Sequence, residues 1–370
     1  MKLQEKIQFH KPITTSREFF KDNVGVKCVH YGDIYKNYSG KTIPSSCIIN
    51  NFANEVSSDK LLYCDSIIVP DVTETVSDWG HFTYIKYDGT PYINGTHAVA
   101  LTCESEDELK YIFRYLSSNH NCKRLQTLLN GSTVFQISIK DFGRFLLENY
   151  HESQDEQSHI VDILGSIDNS IENNEKLVAN LETYAISKYQ EITKGISDFI
   201  TLGEIVDIYD SKRKPLSSRE RESRKGNYRY YGATGVLDYV NDYLFDGEYV
   251  LLAEDGTVID ENGYPIVQLV TGQFWVNNHA HVMQAKAGYT NYSLYVALKK
   301  LSVNTAVTGA VQLKINQANL CALEMPRIDE NKLLTFNQEI EPLFLKIIHI
   351  RAEIEKLKEL KQLYLHKFFG

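Results

Sequence analysis

The 370-residue sequence lacks long apolar runs, paired cysteines and the signatures of common catalysts. No stretch of eighteen consecutive apolar residues occurs, which excludes a conventional membrane-spanning helix. The opening MKLQEKIQFHKP has no apolar core of the kind a secretory signal carries. Six cysteines, at positions 28, 47, 64, 103, 122 and 321, are scattered, and none forms a C-x-x-C pair. In a chain of this length that pattern points to reduced thiols in a cytoplasm, against a disulfide framework or a zinc site. G-x-G-x-x-G, P-loop and H-E-x-x-H patterns are all absent. With no Pro-Pro anywhere, the Asn-Pro-Pro-Tyr/Phe segment of amino-methyltransferases is excluded too. The expectation is a chain with no catalytic residue and no cofactor of its own.

In a strand, His279-x-His281 turns both imidazoles to one face, and Glu254 or Asp255 on a glycine turn could add a carboxylate for a metal. The first half of the chain offers only His97, with Val99 two residues on, so the expectation is no metal site.

What is present begins with ordinary globular composition, 43% hydrophobic and 24% charged, in a chain long enough for two cores plus helices. From His159 to about Thr193, apolar residues recur in steps of four and three: Ile160, Leu164, Ile167, Ile171, Val178 and Leu181. The last forty residues repeat the pattern with Ile340, Leu343, Ile347, Ile350, Ile354, Leu357 and Tyr364. Neither stripe is stable in water alone, and pairing the two helices buries both. Pro342 falls near the start of the second helix, where it would shift the start or kink it.

Ahead of each of these helices the chain runs through a similar order. Short Tyr- and Val-rich runs broken by Gly, Asn and Asp (VGVKCVHYGDIY, KLLYCDSIIVP, HFTYIKYD, PYINGTHAVALT) read as strands and turns. SEDELKYIFRYLSS then reads as a helix opened by Ser105, with Glu108 three residues on. After Gly195 comes a similar order, and the echoes are specific. His97-Ala98 answers His279-Ala280, Gly131 answers Gly309, and Gly195 answers Gly370. The repeat predicts four segments: a first globular unit over 1–151 whose opening strand is short or missing, a long helix over 152–195, a second unit over 196–328, and a long helix over 329–370. The fold class expected is α+β. Two similar mixed α/β units, built mainly of short strands, are each followed by a long helix, with the helices paired as an antiparallel coiled coil.

The net charge of -9 argues against a nucleic-acid partner until its distribution is read. Glu152 to Lys194 holds nine acids against three bases. Lys212 to Arg229 holds eight bases (Lys212, Arg213, Lys214, Arg219, Arg221, Arg224, Lys225 and Arg229) against two acids, and local fields govern steering. Tyr228 and Tyr231 interleave with the end of that run. A charged run is by default a solvated loop, so the bases alone decide nothing. Polar clusters add to them: Gln273, Asn277, Asn278 and His279 on a strand-like segment, then Thr308 and Gln312 at a turn. The first unit has counterparts in His30, Tyr31, Lys36, Asn37 and Lys41, then Asn94, Thr96 and His97, then Asn130, Ser132 and Thr133. A lone Asn or Thr in a loop more often satisfies a turn. Recurrence at matching places in two copies raises these residues to DNA-binding candidates. Two similar units held at a fixed separation are also the geometry that reads two half-sites of DNA.

YYGATG (230–235), AEDG (253–256), FWVNNHAHV (274–282) and TGAVQLKI (308–315), together with the long helix after each unit, resemble the target recognition domains of type I restriction-modification specificity subunits. YGDIYKNYSG, INGTHAVAL and NGSTVFQIS are the matching pieces of the first unit, so the resemblance spans essentially the whole chain. It implies a subunit that reads a bipartite double-stranded DNA target, one half with each domain, while the paired helices set the spacer. It further implies docking of two methyltransferase subunits, and assembly with a motor and nuclease subunit. Self-association of the isolated chain through its helix seams is a further expectation. A helical scaffold that does not read DNA is the competing interpretation; the basic run and the duplicated polar clusters weigh against it.

Overall fold

A computed structural model describes residues 7–21, 24–148, 153–309 and 312–370; the expected boundary at 151/152 lies outside the described residues. The chain divides into two compact units, Met1–Glu172 with Glu355–Gly370, and Asn173–Ile354.

The first unit contains β1 (Ile7–His10), β2 (Val26–Val29), α1 (Tyr31–Asp33), β3 (Thr42–Pro44), β4 (Asn51–Phe52), β5 (Ser66–Pro70), β6 (Val72–Thr73), β7 (Thr83–Lys86), β8 (Tyr92–Asn94) and β9 (Ala98–Cys103). Then follow α2 (Glu106–Leu116), α3 (Asn119–Gln126), β10 (Phe135–Gln136), α4 (Ile139–Glu148) and α5 (Gln154–Thr193), which continues into the second unit. The main sheet has the order β1-β9-β5-β7-β3, with β3 parallel to β7 and the other pairs antiparallel. SIIVP forms its centre because every residue of that run is buried, as a strand covered on both faces requires. The expected helix after Ser105 forms, and the Ser105 side chain accepts the Glu108 N–H. It carries Leu109, Ile112, Phe113 and Leu116 into a core with Ile67, Trp79 and Tyr84.

One segment departs from the strand-and-turn expectation. YGDIYKNY is helical, α1 being followed by a wider π turn over Ile34–Tyr38. His30 and Asp33 cap it reciprocally: His30 Nδ1 accepts the Gly32 N–H, and the Asp33 carboxylate accepts the His30 N–H. Ile34 and Tyr38 then fall on the buried side.

The second unit contains β11 (Phe199–Thr201), α6 (Leu202–Ile205), β12 (Val206–Ile208), α7 (Ser218–Ser223), β13 (Lys225–Tyr231), β14 (Val236–Val240), β15 (Phe245–Ala253), β16 (Val267–Val276) and β17 (Ala280–Ala285). After these come α8 (Asn291–Leu298), β18 (Val307–Thr308), β19 (Lys314–Ile315), α9 (Gln317–Cys321), β20 (Glu324–Pro326) and α10 (Glu330–Phe369). Its sheet has the order β12-β17-β15-β16-β13-β14, and again only the β13–β16 pair is parallel.

The duplication is therefore topological as well as sequential. β1, β9, β5, β7 and β3 occupy the places of β12, β17, β15, β16 and β13. The opening strand of the first unit is IQFH, which shares no motif with its counterpart VDI; the match lies in its antiparallel pairing with the strand after His97. Among the described residues, β14 has no counterpart in the first unit.

The long helices contribute to both units. In the first, Asp168 on α5 meets Lys361 on α10 at 2.7 Å, while Ile160 and Leu164 share a cluster with Leu365 and Phe369. In the second, the Tyr184 hydroxyl donates to Glu339 at 2.7 Å, Arg351 donates to Glu182 at 2.7 Å, and the Tyr189 ring packs on Phe336. Both sets run in antiparallel order. Ile160, Leu164, Ile167, Ile340, Ile347, Ile350 and Ile354 are buried, whereas Ile171, Val178, Leu181, Leu343, Leu357 and Tyr364 are half-buried. Around Pro342, which lies inside α10, the buried position is Phe344 beside Leu343; near the end it is Leu365 beside Tyr364.

Candidate nucleic-acid interface

The basic run of the second unit is ordered structure. Ser217 and Glu220 form a capping box that starts α7, and β13 follows directly. Its cations divide by partner. Arg213 is nearly enclosed, donating to Glu254 and to the Ala280 carbonyl, each at 2.7 Å, and lying 3.3 Å from Asp210. Arg221 donates to Asp238 and to the Leu216 carbonyl, with its guanidinium over the Tyr230 ring. Lys225 also reaches Asp238, at 2.9 Å, and this bond leads the interactions that hold the Asp238 carboxyl below its usual range. Lys212 lies over Tyr209 and Arg224 over Trp275. Lys214, Arg219 and Arg229 are exposed. These three, with Lys212, carry positive charge of the run outward, while Arg213 and Arg221 brace the interior of the unit.

The alternation of β13 sorts its side chains onto two faces. Tyr230 is buried with Leu216, Val240 and Trp275. Lys225, Asn227 and Arg229 are exposed on the other face. Arg229 stands opposite Tyr239 of β14, and Leu237 and Tyr239 extend that face, 58% and 44% exposed. Tyr231, at the end of the strand, is instead a core residue, its ring edge-on to Phe274. Burial raises its hydroxyl pKa, and Arg229 offsets part of that rise. Tyr228 packs against Tyr243.

A second group gathers where β15 ends and β17 begins, beside the glycine hairpin of β18 and β19. His279 is exposed and hydrogen-bonds Asp255 through Nδ1 at 2.6 Å. His281, two residues on, is buried: Nδ1 meets Asp210 at 2.6 Å and Nε2 meets the Ile315 carbonyl at 2.8 Å. The two imidazoles therefore do not share a face, because His279 precedes β17 and belongs to the turn. Burial pushes the Glu254 carboxyl up, but Arg213, His281 and Lys314 outweigh it and leave that carboxyl below the usual range. Donor atoms of Asp210, Glu254 and His281 lie within 4.8 Å of one another. They do not fit a metal centre, since both His281 nitrogens are engaged and the cations of Arg213 and Lys314 already balance the carboxylates.

The remaining candidates fall into buried and exposed sets. Asn277 is buried and accepts the His279 N–H; Asn94 is buried and donates to the carbonyls of His10 and Ala98. Both brace turns. Thr96 bonds Thr15, and His30 is buried at its cap. Gln273 donates to Asp246, the Thr308 hydroxyl to the Lys314 carbonyl, Lys41 to the Asn37 carbonyl, and Asn130 to the Leu128 carbonyl. Lys36, Asn37, Lys41, Gln273, Asn278, Thr308, Gln312, Asn130, Ser132 and Thr133 are exposed. Tyr31 is half-buried, its ring edge-on to His97. Sequence reasoning missed Asp71, the exposed face of β14 and Asn227. Leu237 and Tyr239 were legible in principle, as apolar residues on a strand two positions apart; nothing marked that strand as the sheet edge.

The family model of the type I restriction modification DNA specificity domain matches this chain twice, over residues 15–183 and 197–363. The chain belongs to that family. Among its relatives, a putative type I restriction enzyme specificity subunit of Haemophilus influenzae is 40% identical over 34% of this chain and 31% of its own length. The type I restriction enzyme EcoprrI specificity subunit of Escherichia coli is 24% identical over 60% of this chain and 58% of its own. The chain thus matches less than two thirds of the length of these curated relatives. The crystal structure of the type I restriction-modification system S subunit from M. genitalium has the same fold, with a TM-score of 0.56, 17% identity, and coverage of 100% of this chain and 95% of that one. In this specificity-domain fold each match takes in one strand-rich unit and most of the long helix that follows it.

Proposed function

We propose that this chain is the DNA-recognition subunit of a type I restriction-modification complex, itself without catalysis, each unit reading one half of a bipartite double-stranded target. The observation that carries this reading is the pair of family matches falling on two units of the same sheet topology. Lys212, Lys214, Arg219 and Arg229 supply positive charge for phosphates, and Asn227, Gln273, Asn278, Thr308 and Gln312 supply exposed groups for base edges. Lys36, Asn37, Lys41, Asn130, Ser132 and Thr133 serve the first unit in the same way.

The long helices would fix the gap between half-sites and dock two methyltransferase subunits, with a motor and nuclease subunit joining for cleavage. Antiparallel contacts of α5 with α10 in each unit support the first of these roles. No helix among the described residues is long and apolar enough to cross a membrane, and a genomic substrate puts the site of action in the cytoplasm. The test is selection from random DNA by the chain assembled with its methyltransferase subunit. Two enriched blocks with a fixed gap are expected, and alanine at Arg219, Asn227 and Arg229 together should alter one block only. A single block, or both blocks altered together, would contradict the reading.

A further inference from the structure

The two units share one exposed polar device in spite of their divergence. His97 and His279 stand at equivalent turns, each just before the strand that pairs with the central one. In each, Nδ1 is held by a carboxylate, Asp71 at 3.0 Å and Asp255 at 2.6 Å. The imidazoles are 45% and 46% exposed, the carboxylates only 15% and 18%. Around each pair the backbone is alike. The Asp71 N–H donates to the His97 carbonyl and the Glu254 N–H to the His279 carbonyl; the Ile137 N–H donates to the Asp71 carbonyl and the Ile315 N–H to the Glu254 carbonyl. The carboxylate itself comes from position 71 in one unit. In the other it comes one residue past the equivalent, at 255, because Glu254 is turned toward Arg213 and Lys314. A histidine held by an acid has thus been kept although the acid changed position.

In the first unit the device also carries strain. His97 has φ +58°, a left-handed conformation rare for a residue with a side chain, and it persists only where the surroundings impose it. With the Nδ1–H given to the carboxylate, Nε2 is the ring nitrogen left for a ligand, and in the doubly protonated imidazolium its N–H is a charge-assisted donor to an anionic oxygen.

Two units that read different base sequences have one chemical partner in common, the phosphodiester backbone. We infer that His97 and His279, each oriented by its aspartate, contact equivalent phosphate oxygens in the two half-sites and carry no sequence information. This rests on the DNA-reading function proposed above. Base discrimination then falls to what differs between the units, such as the exposed face of β14.

The test walks a neutral methylphosphonate along each half-site and measures the affinity of the assembled complex. In the wild type each half-site should show several penalised positions, and the one that faces the histidine should cost about tenfold, the worth of a hydrogen bond to a charged group. In His279→Ala, which leaves no side-chain donor, that position in the second half-site should cost nothing further, while that in the first keeps its penalty; His97→Ala should show the reverse. The unaffected half-site reports that the variant is folded. Penalties that persist unchanged at every position in both variants would overturn the inference, as would an altered base preference. A wild-type complex that binds no DNA sequence-specifically would overturn the functional reading and this inference with it.

Discussion

Arg213 and Glu254 lie 2.7 Å apart, and the arginine holds Asp210 and the Ala280 carbonyl in the same grasp. A residue that the sequence offers as one of eight cations for DNA is thus committed inside the unit. Removing it leaves two poorly exposed carboxylates short of a counter-charge. Arg213→Ala should cost about 2–3 kcal/mol of stability, while Arg219→Ala stays within about 0.5 kcal/mol. Denaturant unfolding of the two variants checks this; equal costs would contradict the assignment.

The same network has a pH signature. The folded Glu254 carboxyl titrates below its ordinary value of 4.5, so the unfolded chain binds the proton more readily. Its contribution is therefore present above that ordinary value and is lost as pH falls through the folded one. Between pH 5 and pH 3 the wild type should lose more stability than Glu254→Gln; parallel losses would show that Glu254 takes no part.

Two glycines of the basic hairpin should behave differently. A Cβ at Gly226 would meet the Val240 carbonyl at 2.5 Å and the Asn241 Cα at 2.4 Å, backbone that cannot move without breaking the β13–β14 pairing. For a Cβ at Gly232 the three nearest atoms all belong to the Leu237 side chain, Cδ1 at 2.6 Å, and that exposed side chain can swing into solvent. Gly226→Ala should destabilise by about 2 kcal/mol or more. Gly232→Ala should be nearly neutral in thermal melting but shift the base preference of the second half-site. An unchanged preference would remove Leu237 from the reading surface.

Asp168 joins three helices, meeting Arg114 of α2 and Lys361 of α10. Arg114 is only 8% exposed, so losing its counter-charge is costly. Asp168→Asn should destabilise the first unit by about 2 kcal/mol, and Lys361→Met should cost less than 1 kcal/mol, because Arg114 still satisfies the acid. Equal costs for the two would contradict this ordering.

What was legible in the sequence was periodicity and punctuation. The four-three steps of Ile160, Leu164 and Ile167 and the glycine turns at 131 and 309 read directly, since each follows from local geometry. What was not legible were choices between partners. Charge marks Arg213, Arg221 and Lys225 as cations, yet Glu254, just past the end of β15, and Asp238 on β14, which neutralise them, are brought alongside only by the fold. Asn94 and Asn277 look like base-reading amides and are buried turn braces, because the backbone groups they satisfy appear only once the strands pair. The cap that makes YGDIYKNY helical depends on His30, an uncommon capping residue, and so gave no signal.

The central claim is that two units of one chain each read half of a bipartite target. Methylation mapping of a genome in cells expressing this chain with its methyltransferase subunit tests it most directly. The account predicts a motif of two short blocks separated by a fixed gap, and with Arg219, Asn227 and Arg229 all replaced by alanine only one block changes. A contiguous motif, or a palindrome of a single block, would contradict the claim that both units read DNA.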